Sequence, residues 1–336
     1  MSRYAKQILF GPIGVEGQSR LSRARVAVVG LGALGSMIAN HLARAGAGFL
    51  RLVDRDFVEL DNLQRQVLYD EEDVRAALPK AAAAAGKLAR INSEVRLETR
   101  VCDVNYANAE ELVRDVDLLL DGTDNFETRF VLNDACVKLG RPWVYGGCVG
   151  SYGMAMAILP GEGPCFGCLL GGMPEPGTSP TCDTAGVLNT AVAVVASLET
   201  NEALKILLGR KEALAGGLQT IDLWTNAYGL VRVPRSATCP TCVGRRFPHL
   251  EENPSGATSL CGRNAVQITA RPGVSLDLAL AERRLAPLGR VRRNAYLLKF
   301  AVDGCELTLF PDARAIIQGT DDLSKARSLY ARFVGS

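Results

Sequence analysis

Two pairs of cysteines, Cys165/Cys168 and Cys239/Cys242, are each spaced Cys-x-x-Cys in a tight turn. Together they offer four thiolates to one cation and leave it no open coordination position, the pattern of a structural tetrahedral Zn²⁺ site. A second group of chemically capable residues gathers around Gly30-Leu31-Gly32-Ala33-Leu34-Gly35. This hexapeptide follows the β-branched run Val26–Val29 and opens a helix expected over 36–47, the context in which G-x-G-x-x-G is a phosphate loop. The first glycine makes the turn, the second lets a phosphate reach the backbone, and the third lets helix and strand pack closely. Gly32 and Ala33 would then present N–H groups to an anion at the positive end of the helix dipole. The next strand, 49–53, ends in Asp54, at the distance of a carboxylate that holds ribose hydroxyls. Arg65, Lys80 and Asp124 come later in the chain. Two cations and a carboxylate around a phosphate loop fit a nucleoside triphosphate with Mg²⁺, whose leaving-group charge must be neutralised. Taken singly, Arg65 and Lys80 read as surface cations and Asp124 as a turn residue. A nicotinamide-dependent oxidoreductase would explain Gly30–Asp54, but not these charges or the cysteine pairs.

The elements that must position these groups alternate strand and helix. Pro79-Lys80 starts a helix over 79–90 with Ala81–Ala85 in its body. Strands are expected at 95–101 and 116–120, a short helix at 109–113, a longer one at 130–139 and a strand at 143–145. The strand 116–120 runs into Asp121-Gly122-Thr123-Asp124-Asn125, so its carboxylates stand at the carboxyl end of a sheet strand, where open α/β sheets bind ligands. Residues 149–238 are less regular: a strand at 154–159, a Pro/Gly-rich loop at 171–183, a helix at 190–208 and strands at 218–223 and 228–233. The expected fold is α/β: a Rossmann-like doubly wound, mainly parallel sheet extended by antiparallel strands near the zinc, plus a small C-terminal α+β module. Three segments are expected: 1–247 with the nucleotide and zinc sites, a linker at 248–259, and the module at 260–336. In the module, Asp303-Gly304 predicts a two-residue hairpin. Thr320 is expected to cap a last helix with Leu323, Ala326, Tyr330 and Phe333 on one face.

Arg3-Tyr4-Ala5-Lys6-Gln7, Gly30–Gly35, Asn62-Leu63-Gln64-Arg65-Gln66, Pro79-Lys80, Thr123-Asp124-Asn125 and the two cysteine pairs occur in this order. Together they resemble the ThiF/MoeB family, bacterial relatives of ubiquitin-activating enzymes, over residues 1–247. The resemblance implies an adenylyltransferase that uses ATP and Mg²⁺ to activate the C-terminal glycine of a small ubiquitin-fold sulfur carrier protein for thiamine thiazole or molybdopterin synthesis. It implies that Gly32, Ala33, Asp54, Asn62 and Asn125 bind the nucleotide, that Arg65 and Lys80 stabilise the phosphates, and that Asp124 holds Mg²⁺. Cys182 stands at the family's crossover-loop cysteine, which in some members bonds covalently to the carrier. Lys6 stands where the family has an arginine that reaches the partner's ATP, so a homodimer is implied. A sulfurtransferase or cysteine desulfurase is an implied further partner. The family often has cysteine where this chain has Gly122, a change expected to be minor. A non-catalytic partner subunit of a ubiquitin-like activating complex would share the fold, but would be expected to lose Arg65, Lys80 or Asp124, and all three are present.

Composition narrows the alternatives. Of 336 residues 48% are hydrophobic, enough for a sizeable core. A net charge of +2 with 22% charged residues implies neither nucleic-acid nor membrane binding. No apolar run has transmembrane length and the N-terminus has no apolar signal region, so a cytoplasmic location is expected. In such a chain the ten cysteines point to metal or catalytic use rather than disulfides. His41 and His249 are the two histidines, and both read as bystanders.

Overall fold

The computed structural model describes residues 3–175, 182–251, 257–260, 264–269 and 274–335, with 182–183 and 257–260 described by backbone alone. The chain divides into two compact units, Met1–Glu252 and Asn253–Ser336.

The first unit is built on an eight-stranded sheet. Its strands are β1 (Arg25–Val29), β2 (Phe49–Asp54), β3 (Arg96–Val101), β4 (Leu118–Asp121), β5 (Trp143–Val149), β6 (Tyr152–Ile158), β7 (Leu218–Asp222) and β8 (Ala227–Val231). They lie in the order β3-β2-β1-β4-β5-β6-β7-β8, parallel from β3 to β5 and antiparallel from β5 to β8. The helices are α1 (Ala5–Ile8), α2 (Gly14–Leu21), α3 (Ala33–Ala45), α4 (Glu71–Arg75), α5 (Lys80–Ile91), α6 (Ala109–Arg114), α7 (Phe126–Leu139), α8 (Phe166–Leu170), α9 (Cys182–Ala185) and α10 (Asn189–Leu207). One apolar core joins α3, α5 and α10 to one face of the sheet, and a second joins α6, α7 and the four paired cysteines to the other. This is the expected doubly wound arrangement, with its topological switch between β1 and β4.

Two expected boundaries move for local reasons. Helix α3 starts at Ala33, inside the glycine motif, with Gly32 as N-cap, and stops at Gly46 in the left-handed conformation. Helix α7 starts four residues earlier than expected, because the Asn125 side chain caps it by accepting the Thr128 N–H at 2.8 Å.

Among the described residues the second unit has a six-stranded sheet and two α-helices. The strands β9 (Ala257–Leu260), β10 (Ala265–Ile268), β11 (Arg290–Arg293), β12 (Leu298–Val302), β13 (Cys305–Leu309) and β14 (Ala315–Gln318) are ordered β11-β12-β13-β14-β10-β9. Helices α11 (Leu278–Leu285) and α12 (Leu323–Phe333) cover one face. The Asp303-Gly304 hairpin forms as expected, with both residues at positive φ between the paired Val302 and Cys305. Three strands were not legible. β9 begins inside the stretch read as a linker, β10 follows soon after, and β11 is the arginine-rich Arg290-Val291-Arg292-Arg293. The cap of α12 is Asp322, not Thr320; the Thr320 hydroxyl instead accepts the Asp322 N–H at 3.2 Å. Leu329 takes the buried place expected for Leu323, which is exposed.

One buried charge-bearing residue stands apart. Glu199 on α10 is fully buried, and neither carboxylate oxygen has a hydrogen-bond partner. It occupies the space beside Gly146 on β5, where a Cβ would lie 1.9 Å from Oε1. Burial, helped by the nearby Asp121 carboxylate and opposed by Arg129, pushes the Glu199 carboxyl well above the usual range. The unfolded chain ionises such a group near pH ~4.3. Because the folded state keeps the proton to higher pH, the wild-type protein loses stability as pH rises through that interval. Glu199→Gln, which never ionises, should therefore gain on wild type from acid to neutral pH. Urea unfolding should show the gap widening by up to about 1.4 kcal/mol per pH unit, and parallel pH profiles would refute it.

Candidate functional site

The site lies at the carboxyl ends of β1, β2 and β4. Gly30 takes φ +80° as β1 turns toward α3, and its N–H donates to Val53 O at 2.8 Å. A Cβ on Gly35 would fall 1.7 Å from Gly30 O, so the helix sits directly on the turn. Among the described residues a Cβ on Gly32 would meet only Gln66 Nε2, at 3.8 Å, so the backbone at the helix N-terminus has room beside it. Gly122 is not the neutral position expected from sequence. A Cβ there would lie 2.3 Å from Gly30 O and 2.8 Å from Gly35 Cα, because β4 ends against the glycine turn.

Asp54, at the end of β2, is buried and braces this loop. One carboxylate oxygen accepts the Leu31 N–H at 2.6 Å and the other the Asp56 N–H at 2.7 Å. Burial pushes its carboxyl above the usual range, against the pull of Lys80. Lys80 is buried at the start of α5, with Nζ 3.6 Å from Asp56 Oδ2. The Tyr69 hydroxyl ties the two pieces together, lying 2.8 Å from Leu31 O and 3.2 Å from Lys80 O. The structure thus brings the glycine loop, Asp54 and Lys80 into one cluster, as their order in the sequence suggested.

Asp124 is exposed on the loop between β4 and α7, and its charge acts on both Arg55 and Arg129. Two anchors around it were missed from sequence. Arg129 is buried; its Nε donates to Asp121 Oδ2 at 2.8 Å and Nη2 donates to Thr123 O at 2.6 Å and Gly146 O at 2.9 Å. It therefore sets the height of the Thr123-Asp124 turn. Arg55, next to Asp54, donates to Asp103 Oδ1 at 3.0 Å across the ends of β2 and β3. Burial works against the Arg55 charge, and Asp103, Asp56 and Asp124 more than offset it. Neither arginine falls in a motif; the only available signal was Arg129 four residues after the cap Asn125.

The remaining candidates take other places. Asn62 is buried and its amide is engaged locally, accepting the Glu59 N–H at 3.2 Å and donating to Asp61 Oδ1 at 2.8 Å. Asn125 serves as the α7 cap. Arg65 is half-buried and donates to Asp61 O at 2.8 Å. Lys6 is exposed beside Gln7, whose Nε2 donates to Ala45 O at 2.9 Å. That places it at the C-terminal end of α3, about 20 Å along the helix from the loop of its own chain. The side chain of Cys182 lies outside the described residues, and its backbone starts α9.

The four paired cysteines meet on the α7 side of the sheet. Sγ separations are 4.0 Å for Cys165–Cys168, 3.6 Å for Cys165–Cys239 and 3.5 Å for Cys168–Cys242, and all four sulfurs lie within 4.8 Å of one another. A tetrahedral Zn²⁺ with bonds near ~2.3 Å separates its sulfurs by ~3.8 Å, so the spacing fits the ion, and it is far too long for disulfides. Burial and the facing sulfurs push the Cys165 thiol up, a cost that a divalent cation removes. The site would staple α8 to the turn after β8 and supply no open position for chemistry.

Comparison with known proteins agrees with this geometry. Residues 4–241 match the ThiF family. The chain is 45% identical over 337 residues to the sulfur carrier protein ThiS adenylyltransferase of Bacillus subtilis, covering 99% of both chains. It is 42% identical over 247 residues to the sulfur carrier protein adenylyltransferase of Thermus thermophilus, covering 72% of this chain and 90% of that one. The fold is shared with Escherichia coli MccB crystallised with ATP, at TM-score 0.64 and 24% identity over 72% of this chain and 74% of that one. Among the described residues no helix is long and apolar enough to cross a membrane. By sequence match over most of its length and by fold, the chain belongs to the ThiF family.

Proposed function

We propose that this protein adenylates the C-terminal carboxylate of a small ubiquitin-fold sulfur carrier, using ATP and Mg²⁺. The carrier's carboxylate oxygen attacks the α-phosphorus, and the bond from that phosphorus to the β-phosphate oxygen breaks, giving an acyl-adenylate and pyrophosphate. The observation that carries this reading is the buried Lys80, held against the glycine loop through Tyr69 and close to Asp56. Such a cation answers charge developing on phosphates, which hydride transfer does not require. Gly32 and Ala33 would meet phosphate by backbone, Asp54 the ribose, and Arg65 the phosphates from the opposite turn. Mg²⁺ bound at Asp124 would neutralise the leaving charge. Because the B. subtilis relative spans this whole chain, a carrier of the ThiS kind and a place in thiazole synthesis are the favoured assignment.

Three further features belong to the proposal. Zn²⁺ fills the four-cysteine site. The protein acts as a homodimer, since Lys6 stands too far from its own loop to serve it except on a second copy. The carrier docks on β8, the last strand of the sheet, whose five residues are exposed, with Tyr228 (68%) and Leu230 (60%) beside Trp224 (78%). An edge strand with apolar side chains suits a partner that itself presents a sheet edge.

Lys80→Ala should cut carrier-dependent ATP–pyrophosphate exchange by roughly 10²–10³-fold, and Asp124→Asn should raise the Mg²⁺ concentration needed. Exchange near wild-type level in the first variant would remove Lys80 from the phosphate site. Tyr228→Glu should raise the KM for the carrier roughly tenfold or more while leaving the KM for ATP alone, and an unchanged carrier KM would place docking elsewhere. The Thermus relative matches 72% of this chain with 90% of its own length, so the chemistry is assigned to the first unit. A chain ending at Glu252 should keep exchange activity. It should slow only hand-over of the activated carrier to the next sulfur-relay protein, which the second unit is proposed to hold nearby. Loss of exchange in that truncated chain would contradict the division of labour.

A further inference from the structure

The two cysteine turns come from distant parts of the sequence, yet one helix meets both. On α7, Asn133 and Asp134 are fully buried neighbours. The Asn133 Oδ1 accepts the Phe166 N–H at 3.0 Å, inside the first Cys-x-x-Cys turn. The Asp134 Oδ1 accepts the Thr241 hydroxyl at 3.0 Å, inside the second, while its Oδ2 accepts the His249 N–H at 3.1 Å. The same face continues at helical spacing. Phe130 packs on Phe166 and on His249, with ring centroids 5.2 and 4.9 Å apart, and Val137 O accepts from Arg245 Nη1 at 2.8 Å.

We propose that Asn133 and Asp134 are positioning residues for the metal site, each holding one cysteine turn. Resting on the Zn²⁺ reading above, the inference goes beyond it. Helix α7 holds the two turns so that the four sulfurs face one another, and the cation leaves only when α7 releases a turn. The physical reason is that these bonds are buried. A donor or acceptor stripped of its partner there finds no water to replace it, so each turn is held more firmly than an exposed loop would be. Because Asn133 serves one turn and Asp134 the other, losing either contact frees one pair of sulfurs and leaves the other pair in place.

The test is native-state zinc release to a chromogenic chelator from the metal-loaded, full-length protein. Thr241→Val keeps the shape of the side chain but removes the hydroxyl, and Asn133→Leu removes the acceptor for Phe166. Each should release zinc about 10–100-fold faster than wild type, the usual size of an outer-shell effect on a metal site. Thr241→Ser keeps the hydroxyl and should stay within about threefold of wild type. Leu88→Ala, a core change on α5 away from the clamp, should destabilise the fold yet release zinc at the wild-type rate. Wild-type rates in both Thr241→Val and Asn133→Leu would overturn the inference. So would acceleration by Leu88→Ala equal to that of Thr241→Val, since release would then follow global unfolding. Should Asn133→Leu not fold, the Thr241→Val and Thr241→Ser pair decides by itself. A wild-type protein that binds no zinc overturns the metal reading and this inference with it; bound zinc with unaltered release overturns this inference alone.

Discussion

The arrangement depends on one close backbone approach. Gly30 O lies where a Cβ on Gly35 would be 1.7 Å away and a Cβ on Gly122 2.3 Å away. Three segments, the turn after β1, the first turn of α3 and the end of β4, therefore meet with no side chain between them. That approach aims the α3 N-terminus at the crevice and brings the Thr123-Asp124 turn beside it. Looser packing would leave Asp54 without the Leu31 N–H that it now accepts at 2.6 Å. The candidate site follows from a steric constraint before it follows from any charge.

Around that approach the charges are interleaved rather than pooled. Lys80 faces Asp56, Arg55 faces Asp103, and Arg129 faces Asp121. Each of these three cations thus has a carboxylate at hand, which keeps buried charge from standing uncompensated. The Asp121–Arg129 pair differs from the rest because both groups are buried, and Arg129 also holds two backbone carbonyls. It is a fixed strut, whereas Asp124 beyond it is exposed.

Helix α7 joins this strut to the cysteine site. Its cap, Asn125, borders the Asp124 turn; Arg129 lies one turn on, and Asn133 and Asp134 one turn beyond that. A helix is stiff over so short a length, so the two sites share one rigid element. The four-cysteine cluster and the turn beside the glycine loop are thus joined by one helix.

By itself the sequence determined the alternating strands and helices, the glycine turn, the place of Asp54 at a strand end, the Lys80 helix start and the four-cysteine set. Each of these rests on local rules: β-branched runs, glycine geometry, a proline at a helix start, and ligand spacing within a turn. The Asp303-Gly304 hairpin was legible for the same reason. Only the tertiary structure decided which charges face one another. Arg55 and Arg129 sit in stretches that look like ordinary turn and helix, and only the fold sets them against Asp103 and Asp121; Glu199 sits in an apolar helix, and nothing local shows that its carboxylate is buried without a hydrogen-bond partner. Strand β11 was hidden because its outward face is arginine, leaving Val291 as the one apolar residue to mark it. Gly122 looked replaceable because nothing in its neighbours along the chain reveals that β4 ends against Gly30. Lys6 kept its charge in the motif, but the fold places it at the far end of α3, since Gln7 is bonded to Ala45 O. Spacing along a chain reports local geometry, whereas close approach between distant segments is set by the packing of the whole sheet.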